Sequence, residues 1–161
     1  MKKLTHIDKK GLPKMVDVGS KPSTQREAVA KGSVYMKKET FTLITEGSVQ
    51  KGDVLSTAKI AGIMAAKRTA DIIPLCHPLN ITSADITFNL DKRKNRIVIE
   101  SRVKITGQTG VEMEALTAVS AAALTIYDMC KAVDKEMTIS DIMLVEKRSG
   151  KSGEFKRKNN P

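Results

Sequence analysis

Residues 115–127, ALTAVSAAALTIY, carry no charged side chain and consist of small and apolar residues with a few hydroxyls. A helix that is apolar on nearly every face is normally buried. The sequence therefore predicts a buried helix, which we expect to run from about Glu112 to Val133. Because such a helix packs against other elements, the patterns on either side of it indicate which fold surrounds it.

Strand patterns occur on both sides of this helix. Before it, residues 81–90 and 96–106 alternate apolar and polar side chains and are separated by the charged segment DKRKN at 91–95. Such alternation is typical of half-buried strands, and a short polar turn between two of them predicts a hairpin. Residues 137–146 alternate again after the helix, which predicts a further strand.

The first half of the chain supplies the remaining elements. They are a strand over 26–38, a short helix over 38–46 and a longer helix over 54–73. Gly47 is a typical C-terminal stop for the short helix, Asp53 is placed to cap the longer one, and Pro74 ends it. The order strand, helix pair, strand, strand, helix, strand predicts an α+β, ferredoxin-like (split βαβ) fold, in which an antiparallel sheet has its helices packed on one face.

Length and charge limit the class of protein. With 161 residues, the chain is expected to form a single domain over 1–161. The net charge of +10 is concentrated near the ends, and we expect 1–24 and 148–161 to be flexible or ordered by a ligand. A small basic nucleic-acid-binding protein is the alternative. Only 3% of the residues are aromatic, however, so stacking platforms for single strands are nearly absent and no nucleic-acid partner is expected.

The cysteine content and the hydropathy pattern indicate the compartment. Cys76 and Cys130 provide neither a disulfide framework nor a metal quartet. The basic start lacks the apolar stretch of a secretory signal, and no run approaches the roughly 20 apolar residues of a membrane span. We therefore expect a reduced, cytoplasmic protein without a membrane partner.

Asp128 and Lys131 follow the apolar stretch and project from one side of the predicted helix, because they are three residues apart. Beside a buried helix both side chains would lose water, which raises the pKa of an Asp and lowers that of a Lys towards the range of acid–base catalysts. The pair is therefore a candidate proton-transfer site. The alternative is an exposed salt bridge where the helix surfaces, worth less than about 1 kcal/mol.

The loop IPLCHPL at 73–79 holds Cys76 and His77 between two prolines that restrict its backbone. It is either a preformed substrate-binding loop or a structural link between a helix and a strand. A metal site is the weakest interpretation, because three or four ligands are needed and the only other histidine is His6.

Several charged residues lie where helices are predicted to begin. Lys51 precedes the longer helix, where it either helps to hold phosphate or belongs to a turn followed by an Asp cap. Lys67, later on the same helix, is either an anion ligand or ordinary surface charge. Glu112 and Glu114 are either favourable charges at a helix N-terminus or acceptors for a base or sugar. The segment GKS at 150–152 does not complete a phosphate-binding loop, because the glycine that this motif requires is replaced by Val145.

Five segments together point to a known family. They are KGDV at 51–54, AGIMAAKRT at 61–69, IPLCHPL at 73–79, TGVEMEALTA at 109–118 and ALTIYDMCKA at 123–132. In this order they resemble the cyclic pyranopterin monophosphate synthase family of molybdenum cofactor biosynthesis. The resemblance extends from THI at 5–7 to GKSGEF at 150–155.

The resemblance implies a ferredoxin-like lyase. Enzymes of this family convert 3′,8-cyclo-7,8-dihydroguanosine 5′-triphosphate to cyclic pyranopterin monophosphate and release diphosphate. A radical S-adenosylmethionine enzyme supplies the substrate, and no metal or organic cofactor is expected to be obligatory. The resemblance also implies a homo-oligomer, a hexamer built as a trimer of dimers, with active sites at subunit interfaces.

The resemblance also assigns roles to residues by position. Asp128, Lys131 and Lys51 match the catalytic residues of the family. The residues that match its substrate-binding positions are Leu75, Cys76, His77, Met113 and Glu114, with Glu112, Arg26, Lys67 and Lys147 as further polar contacts. Arg148-Ser149 departs from the Ser-Gly pair that the family leads us to expect, which affects how the tail would run near the triphosphate.

Overall fold

A computed structural model of the chain describes Ile7, residues 10–148 and residues 153–158. Its elements are β1 (Thr24–Tyr35), α1 (Lys38–Thr45), α2 (Val54–Lys67), α3 (Thr69–Ile72), β2 (Ser83–Asp91), β3 (Arg96–Gly107), α4 (Glu112–Cys130), β4 (Thr138–Arg148) and β5 (Phe155–Lys156). This order confirms the predicted α+β, ferredoxin-like arrangement.

The strands form one antiparallel sheet in the order β2-β3-β1-β4-β5. The two central strands pair along their whole length, from Thr24 opposite Gly107 to Tyr35 opposite Arg96. The helices α1 to α3 connect β1 to β2 across β3, and α4 connects β3 to β4 across β1. This connectivity is the split βαβ topology that the order of elements predicted.

One face of the sheet packs against the helices and forms the core. The predicted apolar face of β3 is buried there, and it consists of Ile97, Ile99, Val103 and Ile105. Ser101 lies on the same face, and its hydroxyl donates to the carbonyl of Ala115 in α4 at 2.7 Å. The other face carries paired charges, among them Lys31 with Glu100. The alternation in β3 therefore reports correctly which side chains face α4.

The longer predicted helix is interrupted, so the prediction of one helix over 54–73 was wrong. Arg68 leaves the helical conformation, with φ −112° and ψ 16°. The hydroxyl of Thr69 donates to the carbonyls of Ala65 and Ala66. Such side-chain hydrogen bonds compete with the backbone hydrogen bonds of the helix. The chain then makes the short helix α3.

Other boundaries differ from the sequence prediction by a few residues. α4 ends at Cys130 and not at Val133, because the amides of Val133 and Asp134 both turn back to the carbonyl of Cys130. β1 ends at Tyr35, and α1 begins at Lys38 after a two-residue connection. β5 was not predicted, and it pairs with β4 at Glu146 and Lys147.

Gly62 allows α2 to lie close to α4 and β2. A Cβ atom at this position would lie 2.5 Å from Cδ1 of Ile86 and 2.9 Å from the carbonyl oxygen of Ala118. Real side chains do not approach so closely, so no side chain fits here unless the helices separate. The position of α2 over the sheet therefore depends on this glycine.

We predict that Gly62→Ala lowers the free energy of unfolding by about 1–3 kcal/mol through overpacking, although alanine at an exposed helix position is normally better than glycine by about 1 kcal/mol. Urea unfolding followed by circular dichroism measures the change. Ile86→Val removes the Cδ1 methyl that the new Cβ meets, so the double variant should lose less than the sum of the single variants. Unchanged or increased stability of Gly62→Ala would contradict the close packing.

Candidate functional site

Three predicted catalytic residues meet at the C-terminal end of α4, and we call them the lysine–aspartate cluster (Lys51, Asp128 and Lys131). Lys131 Nζ lies 2.7 Å from Asp128 Oδ1. Lys51 Nζ donates to Asp128 Oδ2 at 3.1 Å and to the carbonyl oxygen of Asp128 at 2.9 Å. The Asp128 carboxylate is therefore held between two ammonium groups.

The loop between α1 and α2 brings Lys51 to this end of α4. Gly47 ends α1 with φ +66° and Gly52 follows Lys51 with φ +97°, a region that glycine adopts without strain. Asp53 then caps α2 by accepting the amide of Ser56 at 3.0 Å, as the sequence predicted. The two glycines and the cap fix where the loop leaves one helix and enters the next.

The charges of the cluster are paired and exposed in the single chain. The side chains of Lys51, Asp128 and Lys131 are 47%, 58% and 52% exposed. Lys131 and then Lys51 lower the pKa of Asp128, and pairing with Asp128 raises the pKa of Lys131. These directions are opposite to those expected for a buried pair, and in the single chain Asp128 and Lys131 match the alternative of an exposed salt bridge.

A cavity of about 310 Å³ lies at the other end of α4, and we call it the Glu114 cavity. The loop between α3 and β2 contributes Leu75, Cys76 and His77, and the first turn of α4 contributes Glu112, Met113 and Glu114. The structure thus brings together six residues that were predicted as substrate contacts.

Glu114 is a buried acid in this cavity. It is 3% exposed, and burial raises the pKa of its carboxyl group, with a further contribution from the charge of Glu112. No salt bridge compensates it within the described part of the chain. Burial, together with the charge of Glu114, also raises the pKa of the Cys76 thiol, which favours its protonated form.

The N-terminal segment runs along the Glu114 cavity. His77 Nε2 lies 2.8 Å from the carbonyl oxygen of Val16, which can only accept, so this nitrogen carries the proton. Val16, Val18 and Lys21 line the same cavity. Sequence analysis missed these residues because they belong to a polar segment without a periodic pattern.

A second cavity, of about 500 Å³, adjoins the first and carries more positive charge. Both are lined by Lys21 and Glu112, and the second adds Arg26 and Lys147. Lys147 Nζ lies 2.6 Å from Glu112 Oε1. Arg26 donates to the carbonyls of Gly107 and Gln108 at 3.0 and 3.2 Å. We call this second cavity the basic cavity.

Some predicted features lie outside these clusters. Lys67 is exposed in the last turn of α2 and lines neither cavity. His6 and the GKS segment at 150–152 lie outside the described residues. Among the residues that are described, no group of three or more His, Cys, Asp or Glu side chains is placed to hold a metal ion.

The lysine–aspartate cluster and the Glu114 cavity lie at opposite ends of α4. Glu112 and Asp128 begin and nearly end this helix, and at about 1.5 Å per residue they are separated by roughly 24 Å. One chain therefore does not bring the two groups onto the same small molecule. In the described part of the chain, no helix is long and apolar enough to cross a bilayer.

We predict that Lys131→Ala raises the pKa of the Asp128 carboxyl group towards the ordinary value of about 3.9, because the strongest of its two pairing cations is removed. A carbon-detected NMR titration of the side-chain carboxyl measures this pKa. Lys92→Ala, which removes an exposed lysine of the β2–β3 hairpin, serves as the control and should leave it unchanged. An equal effect of both substitutions would mean that Asp128 responds to net charge and not to its partner.

Known proteins are similar to this chain over nearly its whole length. The model described as the MoaC family matches residues 15–150. A protein named cyclic pyranopterin monophosphate synthase from Heliobacterium modesticaldum is 62% identical over 157 residues, which are 98% of this chain and 99% of that protein. Proteins of the same name from Thermoanaerobacter pseudethanolicus and Parvibaculum lavamentivorans are 62% and 59% identical over 96% and 98% of this chain, and the match covers 98% of each relative.

Proposed function

The chain belongs to the MoaC family of molybdenum cofactor enzymes, and from this premise we propose that it converts 3′,8-cyclo-7,8-dihydroguanosine 5′-triphosphate to cyclic pyranopterin monophosphate and releases diphosphate. The observation that carries the proposal is the 62% identity, over 98% of the chain, to a protein named for this product. A radical S-adenosylmethionine enzyme would supply the substrate. The geometry of the clusters supports a division of roles among the predicted residues.

The lysine–aspartate cluster suits proton transfer and charge stabilisation. Rebuilding a purine-derived base as a pterin requires several proton transfers, which a positioned carboxylate and ammonium accelerate. Asp128 is ionised in the free chain, so it begins as a proton acceptor. Closing a cyclic phosphate while diphosphate leaves builds negative charge, which Lys51 and Lys131 stabilise because they are already in place.

The two cavities suit the two halves of a nucleotide. Glu114 presents a buried carboxyl group without a paired cation, which can accept hydrogen bonds from the N–H groups of a guanine-derived base. The basic cavity places Lys21, Arg26 and Lys147 next to it, and these side chains attract phosphate oxygens. We assign the base to the Glu114 cavity and the phosphates to the basic cavity, with Met113, Leu75 and the backbone of His77 against the base.

The separation of about 24 Å along α4 supports a site shared between two copies of the chain. A two-fold axis that pairs two α4 helices antiparallel places Asp128 of one copy near Glu112 of the other. Leu124 on α4 is 61% exposed, and Ile60 on the adjoining α2 is 59% exposed. Because these two side chains lie on adjoining helices, they are candidates for one apolar patch between copies of the chain.

The proposal extends to assembly and compartment. Three such dimers would form the hexamer that the resemblance implies. Two free thiols, at Cys76 and Cys130, are compatible with work in the reducing cytoplasm.

We predict that Asp128→Asn and Lys131→Ala each lower turnover by at least about 100-fold, because general acid–base steps contribute that much. The assay supplies the cyclic triphosphate and follows both diphosphate release and pterin fluorescence after oxidation. Asp85→Asn is a matched control, since Asp85 also pairs with a lysine, Lys59, at 2.7 Å on the exposed surface. It should retain full turnover, whereas near-normal product formation by a folded Asp128→Asn protein would defeat the assignment.

We predict that two inactive variants complement each other when they are coexpressed. If each site takes Asp128 from one copy and Glu114 from another, random mixing of Asp128→Asn and Glu114→Gln chains leaves about a quarter of the sites intact. Turnover of the mixed oligomer should then reach about a quarter of the wild-type rate per site. Turnover no greater than that of the separate variants, in a preparation shown to contain both chains, would place the whole site within one chain.

A further inference from the structure

Asp134 is a buried carboxylate in the turn after α4, and no role was predicted for it from the sequence. It is 2% exposed. Its Oδ2 accepts the amide of Lys37 at 2.9 Å and the hydroxyl of Thr40 at 3.1 Å, and its Oδ1 accepts the amide of Glu136 at 3.0 Å. Burial raises the pKa of this carboxyl group, but the three donors outweigh burial and keep it below its ordinary value.

These hydrogen bonds join the two segments that carry the lysine–aspartate cluster. The amide of Asp134 bonds to the carbonyl of Cys130 at 3.0 Å, which ties it to the end of the helix that bears Asp128. Its carboxylate holds the start of α1, the helix that leads through the next loop to Lys51. α1 has only eight residues, so its direction depends strongly on how its first turn is fixed.

The buried thiol of Cys130 shows how near Asp134 is to the cluster. Burial and then the negative charge of Asp134 raise the pKa of this thiol, while the positive charge of Lys51 lowers it in part. The sulfur is therefore within electrostatic reach of both groups. Asp134 and Lys51 therefore act electrostatically on the same buried side chain. A shift of α1 would move the loop that follows it, and this loop carries Lys51.

We propose that Asp134 is a positioning residue that fixes α1 against the end of α4, so that Lys51 stays within hydrogen-bonding distance of Asp128. The inference rests on the proposed function, in which Lys51 stabilises charge during the reaction. It assigns to Asp134 no contact with the substrate. Misplacement of a reacting group by about 1 Å can cost about 100-fold in rate. The hydrogen bonds of Asp134 therefore affect turnover even though they are remote from the substrate.

The kinetic test compares Asp134→Asn with Glu27→Gln. Asn keeps the shape of the side chain, but its NH2 group cannot accept a hydrogen bond, so at least one of the three contacts is lost. We expect kcat to fall by at least about tenfold with little change in KM. This pattern is typical of losing an interaction that is made only in the transition state. Glu27 is a half-buried carboxylate that pairs with Arg102 and Lys104 on the opposite face of the sheet, and its substitution should leave kcat unchanged. Equal losses in both variants would overturn the inference.

A double-mutant cycle separates positioning from general destabilisation. If Asp134 acts through Lys51, Asp134→Asn should cost little further turnover in a Lys51→Ala background, whereas additive losses would contradict the inference. If Asp134→Asn does not fold, Thr40→Val carries the test, because it removes one of the three donors and keeps the charge. Thr40→Val should lower kcat and Thr40→Ser should restore it.

The pKa of Asp128 gives a readout that needs no reaction. Removing the negative charge of Asp134 would by itself lower this pKa, whereas loss of Lys51 from Asp128 raises it. We expect Asp134→Asn to raise it in the NMR titration, and a fall would overturn the inference. An inactive wild-type enzyme would refute the proposed function alone, and this titration would then decide whether Asp134 positions Lys51.

Discussion

The packing of α4 against the central strands β1 and β3 is the contact on which the rest of the structure depends. Four of its five alanines, Ala115, Ala118, Ala122 and Ala123, are fully buried and let the helix lie close to the sheet. The hydroxyl of Ser101 fixes the first turns of α4, and Gly62 lets α2 lie against its middle. Because the helix is held along its length, both of its ends are placed accurately relative to the sheet, and these ends carry the residues that we propose for catalysis and substrate binding.

The two ends of α4 differ in their electrostatics. At the C-terminal end, Lys51 and Lys131 keep Asp128 ionised at the surface of the chain. At the N-terminal end, Glu114 is buried without a paired cation in the described part of the chain, and burial raises the pKa of its carboxyl group. A two-fold arrangement of copies would bring an ionised acid and a buried acid together over one substrate. Pairs of acids in contrasting environments are suited to distinct roles in proton transfer.

Local patterns in the sequence predicted most of the fold. The alternation in β3 identified the buried face, Asp53 was recognised as a cap, and the uncharged stretch identified α4. The break at Arg68 was missed because it depends on the hydroxyl of Thr69, which competes with the helix only in that local geometry. The end of α4 was placed three residues too late for a similar reason, since the following turn continues the helical direction.

The sequence predicted the candidate site less completely than the fold. The spacing of Asp128 and Lys131 showed that they pair, but it left open whether this end of the helix is buried or exposed, and with it the directions of the pKa shifts. Lys51 and Asp134 reach the same region through contacts that are distant in sequence. No periodicity encodes such contacts. The position of Lys51 before α2 suggested a phosphate ligand, and only the resemblance to a family grouped it with Asp128. Nothing in the sequence singled out Asp134.

The raised pKa of Glu114 links binding at its cavity to the uptake and release of hydrogen ions. A ligand that donates N–H groups to this carboxyl favours the ionised form, so occupancy expels a proton wherever the free group is partly protonated. The apparent affinity for such a ligand then increases with pH across that range. The heat of binding would then differ between two buffers of different ionisation enthalpy. The difference equals the number of protons released multiplied by the difference between the two ionisation enthalpies.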